Sequence, residues 1–513
     1  MTSLPIRDPN LKLPESESLR KAVKARYLEN QSSNEAFAAL QQLALRFPES
    51  LLVRLDLINL AQRRCEFQQS KTTALELLAL RGDDPVIVYE AAEALTTAGE
   101  HTAAREAWLK LGKNQEHRVS AYTALARSAL RVNQAEEAEQ WIAQALEIMP
   151  DNIMARLLGG QIARKAGKYD LAAEYLANCT EAKVPALIRF RGLYEIGELK
   201  DQTGDFSGAV AAWKAAKQCI ETDMRPQVEE ARSFRQQRLA RNRRLLAQLT
   251  PQTIKPYIRP TPPRSPALAI LGGHPRSGTT LLEQVLAAHP QVSDLDERDV
   301  FKVSLQANLL HGRFEFFDLE TLRKASNTQL TIVRTDYLRR CSMLLGRLSK
   351  QTLLLDKNPN NTDVLPMALA ILPGLKLLIA RRDPRDILLS CFRLQVTPDF
   401  ANIGWLREQD AVEDYHSMMA IWDRLRECLA GEENWLEVEY AQLCNDFDNT
   451  SRQVTRFLGL DWHKDQQNYR KVRQQVPINS PNYTEAKASV HTASLGRWQR
   501  YADLLPTLFE AFP

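Results

Sequence analysis

Hydrophobic and polar positions follow two rhythms along this chain, and the change falls near residue 250. In the first half the repeating unit is long. Small residues return at Ala36, Ser70, Ala104, Ala138, Ala172 and Ala209, spaced by 34 four times and then by 37, which is the period of a stacked helix-turn-helix repeat. Five residues before each stand Gln31, Cys65, Gly99, Asn133, Gly167 and Gly204, and glycine and asparagine suit a left-handed turn. Twelve residues before the small position come Ala92, Ala126, Gly160 and Gly197, where the paired helix must approach closely, while Pro48 and Pro150 close two repeats. Each helix pair leaves an apolar face that only its neighbour can bury, so about six units predict an all-α solenoid with a concave surface.

The second half reads as short apolar runs bounded by glycine, proline or charge. Ala267 to Leu271, Thr352 to Leu355 and Leu375 to Arg382 fit buried strands of a parallel sheet. The first runs into Gly273-His-Pro-Arg-Ser-Gly278-Thr279-Thr280 and then a helix. This is the spacing of a phosphate loop, except that Thr279 stands where a nucleotide kinase carries its phosphate-reaching lysine. Loop amides and a helix N-terminus still favour an anion, and Arg276 inside the loop would neutralise charge on a phosphate oxygen. The third strand enters Asp383-Pro-Arg-Asp-Ile-Leu-Leu-Ser390, where Arg382, Arg385 and Ser390 surround a second helix N-terminus. The middle strand ends in Asp356-Lys357-Asn358-Pro359, delivering a lysine to the carboxyl edge of the sheet, where open α/β folds bind ligands.

Six stretches in order, PRSGTTLLEQVLAAHP, DERDVF, DKNP, RRDPRDILLS, EVEYAQL and SLGRWQRY, resemble the sulfotransferases that use 3'-phosphoadenosine 5'-phosphosulfate (PAPS). Within that family they are similar to the tyrosylprotein group and its bacterial relatives carrying tetratricopeptide (TPR) repeats. The resemblance implies that Pro275, Arg276, Ser277, Gly278, Thr279 and Thr280 hold the 5'-phosphosulfate, with Arg276 on the sulfonate side. It implies that Arg382 and Ser390 grip the 3'-phosphate and that Tyr440 and Arg497 touch the nucleotide. Lys357 would support charge on the sulfonate and on the phosphate leaving it, and Glu297 would be the general base. The product would be 3',5'-phosphoadenosine (PAP), and no metal is required, because arginine, lysine and loop amides supply the positive charge.

Competing readings stand beside these. Glu297 lies in a charge cluster that would also serve as a helix cap. His274 and His289 are alternative bases, the latter also a cap at the end of its helix. Arg382 would serve in a surface ion pair, Lys357 as a solvated loop residue, and Tyr440 and Trp498 as core aromatics. Two departures from the family pattern are Asn358, where aspartate is usual, and Arg393, one position early for the basic residue expected beyond the serine.

The expected architecture is therefore a TPR-like α-helical repeat domain over residues 1–224, a basic helix and Pro-rich linker over 225–266, and a P-loop-like α/β sulfotransferase domain with a central parallel sheet over 267–513. The 225–249 segment, rich in arginine, reads as a solvated cap on the solenoid, followed by a stiff proline-rich spacer at Pro251, Pro256, Pro260, Pro262, Pro263 and Pro266. The repeat domain suits presentation of a peptide or protein substrate, the alternatives being that it only extends the second domain or mediates self-association as a homo-dimer. A net charge of +4 over 513 residues implies neither nucleic acid nor an anionic membrane as partner. Seven scattered cysteines without metal-type pairing, a polar N-terminus and no long apolar stretch lead to the expectation of a cytoplasmic bacterial enzyme. The preferred acceptor is a tyrosine hydroxyl in a peptide or protein. The alternatives are a saccharide, lipid or small phenol, or a non-catalytic repeat scaffold.

Overall fold

The computed structural model describes residues 17–24, 33–132, 134–262, 265–310, 317–395, 399, 401–474 and 492–512. Gln31, Asn133 and Pro263 of the readings above lie outside these residues. Helix pairs stack from Ser33–Arg46 to α1 (Ala186–Gln202) and α2 (Phe206–Asp223). The turn residues Cys65, Gly99, Gly167 and Gly204 all have left-handed φ, 54°, 85°, 75° and 88°. Ser70, Ala104, Ala138, Ala172 and Ala209 are buried, as are Ala92 and Ala126. A Cβ on Gly160 would stand 2.6 Å from Leu176 Cγ, and one on Gly197 2.3 Å from Trp213 Nε1. The repeat's small residues are therefore set by how closely paired helices pass.

In the second half, β1 (Ala267–Gly273), β2 (Val292–Asp294), β3 (Leu353–Lys357), β4 (Lys376–Arg381) and β5 (Trp435–Glu439) form a sheet in the order β2-β3-β1-β4-β5. Every pairing is parallel, with Ile270 opposite Asp356 on one side of β1 and Leu377 on the other. The connection after β1 leads one way, to β2, and the connection after β4 leads the other, to β5, which makes the carboxyl ends of β1 and β4 the point where a ligand crevice opens. The edge strands β2 and β5 carry weaker apolar patterns and were not expected as strands.

The segment between the two halves departs from the sequence reading. Helix α3 (Arg225–Gln248) is packed against the second half, and three of its arginines, Arg235, Arg238 and Arg241, are turned into that contact, while Arg225, Arg243 and Arg244 stay exposed. Arg235 lies 2.9 Å from Asp414, 2.7 Å from Glu413 and 3.2 Å from Asp410, Arg238 is 2.8 Å from Asp414, and Arg241 pairs with Asp363. Burial alone would raise the Asp363 carboxyl, but Arg241, Lys302 and Arg238 outweigh it and hold it below its ordinary range. The proline-rich stretch is docked as well: Ile254 is buried, Gly374 donates its amide to the Arg259 carbonyl at 2.6 Å, and the Arg259 guanidinium donates to Ala370. It is not a free spacer. Trp213, Ile220, Leu245, Leu249 and Ile254 belong to the same apolar core as Leu365, Trp422 and Tyr501, so one core runs across the junction.

A second junction lies at the other end of the solenoid. Asn34 donates to the Ala307 carbonyl at 2.7 Å, Arg340 donates to the Arg64 carbonyl and pairs with Glu66 at 2.8 Å, and Arg298 lies over the Phe67 ring. The repeat domain is thus bonded to the second half through its early turns and again through its last helices.

Candidate active site

Strand β1 ends at Gly273 and helix α4 begins at Thr279 (Thr279–Ala287), leaving a five-residue loop at the sheet's carboxyl edge. Gly273 must be glycine: its φ is 124°, and a Cβ would stand 2.4 Å from the Ala380 carbonyl. Thr362 locks the loop's entrance by accepting from the Gly273 amide at 2.9 Å and donating to its carbonyl at 2.7 Å. At the exit Gly278 has φ 99°, and the Tyr440 ring occupies the space a side chain would need. Arg276 is left-handed at φ 75° without being glycine. Such a conformation costs about 1–3 kcal/mol and persists only where the surroundings over-determine it.

Those surroundings are the other expected anion-binding residues. Arg276 Nε donates to Ser390 Oγ at 2.6 Å, and Arg382 Nη1 donates to the Arg276 carbonyl at 3.1 Å. Arg382 also donates to the Ser494 carbonyl at 2.6 Å and lies over the Tyr440 ring, whose hydroxyl is 3.0 Å from Ser494 Oγ. Ser390 sits on α5 (Pro384–Phe392), opened by Asp383, whose carboxylate accepts from the Arg385 amide. Arg385 itself does not reach the loop. It folds back onto Asp383 at 2.9 Å and stacks on Trp498. Ser277 Oγ and Arg382 Nε are buried and lack a partner among the described residues, so the cradle retains polar capacity for an anionic ligand.

On the other side of the loop, Lys357 is fully buried at the end of β3, between Glu297 at 2.7 Å and Glu283 at 3.0 Å. Glu297 is carried just beyond β2, where Leu295 and Glu297 donate their amides to the carbonyls of Leu355 and Lys357. Asp296 and Glu297 both have left-handed φ, 47° and 61°. The Glu297 side chain is 24% exposed, whereas that of Glu283, on α4, is sealed. Burial opposes the Lys357 charge, but Glu283 and Glu297 override it and raise the ammonium's pKa. Glu283 is pushed well above the carboxylate range by burial, with Asp294 and Asp296 adding to the push and Lys357 opposing it. One cation thus faces two carboxylates, and burial favours the protonated form of the enclosed one, Glu283.

The two histidines are structural. His274 is buried, its Nδ1 donates to the Pro275 carbonyl at 2.8 Å, and its ring packs on Tyr415. Burial lowers it to about 4, with Arg238 adding to the effect and the Pro275 bond opposing it. His289 Nδ1 accepts from the Gln291 amide, and Nε2 donates to the Asp461 carbonyl at 2.9 Å. Asn358 fills its unusual position by accepting from the Asn360 amide at 3.1 Å, an end-capping bond that aspartate would make equally well.

Arg497, expected to touch the nucleotide, opens the short helix Arg497–Tyr501. Its guanidinium is bonded to Asp201 of the repeat domain, as is that of Arg393, and Arg393 is further held by Glu198 at 2.8 Å. Sequence reasoning missed Glu283, Thr362, Ser494, Glu198 and Asp201. For Glu283 a signal was present, an acid inside the apolar run Leu281-Leu-Glu-Gln-Val-Leu286.

Residues 266–464 match the sulfotransferase family model, and this part of the chain is a sulfotransferase-family domain. A protein of Aquifex aeolicus (strain VF5), described as uncharacterized, is 23% identical over 288 residues, covering 53% of this chain and 36% of that one. Protein-tyrosine sulfotransferase A of Caenorhabditis elegans is 25% identical over 205 residues, covering 39% of this chain and 51% of that protein. The chain therefore spans about a third to a half of the length of these relatives. Among solved structures, the sulfotransferase domain of the Synechococcus PCC 7002 olefin synthase aligns at 19% identity with a TM-score of 0.33, over 47% of this chain and 88% of that one. Among the described residues, no helix is long and apolar enough to cross a membrane.

Proposed function

We propose that this chain transfers a sulfonate from PAPS to a hydroxyl acceptor, and that the acceptor is a tyrosine in a peptide or protein. The observation that carries the reading is the pairing of Lys357 with a partly open Glu297 beside a lysine-free phosphate loop. The donor supplies a sulfonate already activated by its bond to phosphate, so the protein's work is positioning and charge stabilisation. Arg276, the loop amides and Lys357 would offset negative charge on the leaving phosphate. Glu297 would take the acceptor's proton, and the Lys357 ammonium holds that carboxylate at the mouth of the site. Pro275 to Thr280 would cradle the 5'-phosphosulfate, with Arg382, Ser390 and Tyr440 at the nucleotide's 3'-phosphate side.

The tyrosine acceptor is supported by the likeness to the protein-tyrosine sulfotransferases and by a repeat domain whose early turns come close to the base: a Cβ on Gly99 would stand 3.5 Å from Arg298, the residue after Glu297. A peptide lying along the concave face would arrive there. Removing the repeats is not a clean test of this idea, because the shared core would be torn open.

The test is calorimetric binding of PAP against AMP and ATP, with Arg382→Ala as control. PAP is expected to bind well, AMP more weakly, and the variant to lose the preference. Equal binding of PAP and AMP by the wild type would overturn the donor assignment. Turnover of small phenols with no activity on tyrosine peptides would overturn the acceptor.

A further inference from the structure

Helix α5 carries Asp386, Ser390 and Arg393 at spacings of four and three, which puts them on one face. The segment Ser494–Trp498 runs along that face. Asp386 accepts the amides of Gly496 at 2.8 Å and Trp498 at 3.1 Å, while the Ser494 carbonyl takes Arg382. Both lines of residues lead to one buried carboxylate on the repeat domain. Asp201, near the end of α1, accepts from Arg393 at 3.1 Å and also from Arg497 and from the Tyr501 hydroxyl. Glu198, one turn earlier on α1, takes Arg393 at 2.8 and 3.0 Å. Arg393 also lies over Trp213 of α2, and the Tyr194 hydroxyl of α1 donates to the Phe392 carbonyl.

We infer that Asp201, assisted by Glu198, is a positioning residue through which the repeat domain sets the donor site, orienting Arg393 and Arg497 toward the phosphate that Arg382 and Ser390 meet. The two arginines come from separate segments, one at the end of a helix and one at the start of a short helix. Asp201 is the acceptor their guanidinium groups share. Arg497 Nε is buried and has no partner among the described residues, so a donor on this pair is still unspent. The repeat domain is then part of the nucleotide site as well as a surface for the acceptor. Unlike that surface role, this one would be felt in donor binding with no acceptor present.

This inference rests on the donor reading above, and the experiment separates the two. PAP and AMP are titrated into the full-length wild type, Asp201→Asn, Asp201→Glu and Glu198→Gln, and thermal stability is recorded for each. The wild type is expected to prefer PAP. In Asp201→Asn that preference should fall by roughly tenfold, the scale of a misaligned hydrogen bond to a charged group, with AMP affinity unchanged, and Asp201→Glu should restore part of it. Glu198→Gln touches Arg393 alone and should give a smaller loss, which keeps the test open if Asp201→Asn fails to fold. A wild type without preference removes the donor reading. A wild type with preference whose variants keep it, or bind PAP more tightly, overturns the positioning role.

Discussion

Lys357 meets two carboxylates at nearly the same distance, and they are built for different work. Glu283 arrives on a helix, fully enclosed, with burial favouring its protonated form. Glu297 arrives on two left-handed residues at the sheet edge, with a quarter of its side chain open. A sealed acid holds the lysine in place and exchanges nothing with solvent. A strained, partly open one can meet a substrate. Chemistry here is assigned by access and backbone, since the side chains and their partner are the same.

The contrast can be broken most forcefully at Glu297. Glu297→Gln is expected to lower turnover by about 10² to 10⁴-fold while PAP binding and thermal stability stay near wild type. Retained turnover in a steady-state assay would transfer the role to another group. Next comes Glu283. Glu283→Leu leaves Lys357 one acceptor short and should cost about 1–3 kcal/mol in denaturant unfolding, whereas Glu283→Gln keeps an acceptor oxygen and should cost less than about 1. If glutamine proves as damaging as leucine, Glu283 is ionised and its charge is what matters.

A third test, read per pH unit, sharpens the comparison from the opposite face of β3. Asp356 is buried and bonded by the Tyr337 hydroxyl at 3.0 Å, and among the described residues it is in no ion pair. Burial raises it to about 7, with the Tyr337 bond opposing and Asp299 reinforcing the shift. The folded state then binds more protons than the unfolded one between about pH 4 and 7, so this group's contribution to stability declines as pH rises through that window. The slope is at most about 1.4 kcal/mol per pH unit. Asp356→Asn should flatten it, as unfolding curves at several pH values would reveal.

Much of this was legible because short-range rules wrote it. The repeat period, its left-handed turns, three of five strands and the loop follow from glycine conformation, helix contact and apolar runs. These rules marked the loop, the helix end near Ser390 and the strand end at Lys357 separately, the family resemblance added Glu297, and the structure sets Arg276 against Ser390 and Arg382, and Lys357 against Glu297. What escaped was written at long range. Arg235, Arg238 and Arg241 of α3 read as solvated because their partners, Asp363, Asp410, Glu413 and Asp414, lie more than a hundred residues away. The partnership of Arg497 with Asp201 was not foreseen, because nothing near Arg497 in sequence announces it. The strands β2 and β5 were missed because edge positions need no continuous apolar run.

A stack of helix pairs held at one end behaves as a spring, its curvature free to breathe with temperature and load. This one is fastened twice, by Arg64 and Glu66 to Arg340 at its beginning and by Glu198 and Asp201 to Arg393 at its close. A coil with both ends tied cannot lengthen without pulling on its moorings. Whatever bends the middle turns therefore loads two places in the second half, the helix of Arg340 and the end of α5, which carries Ser390.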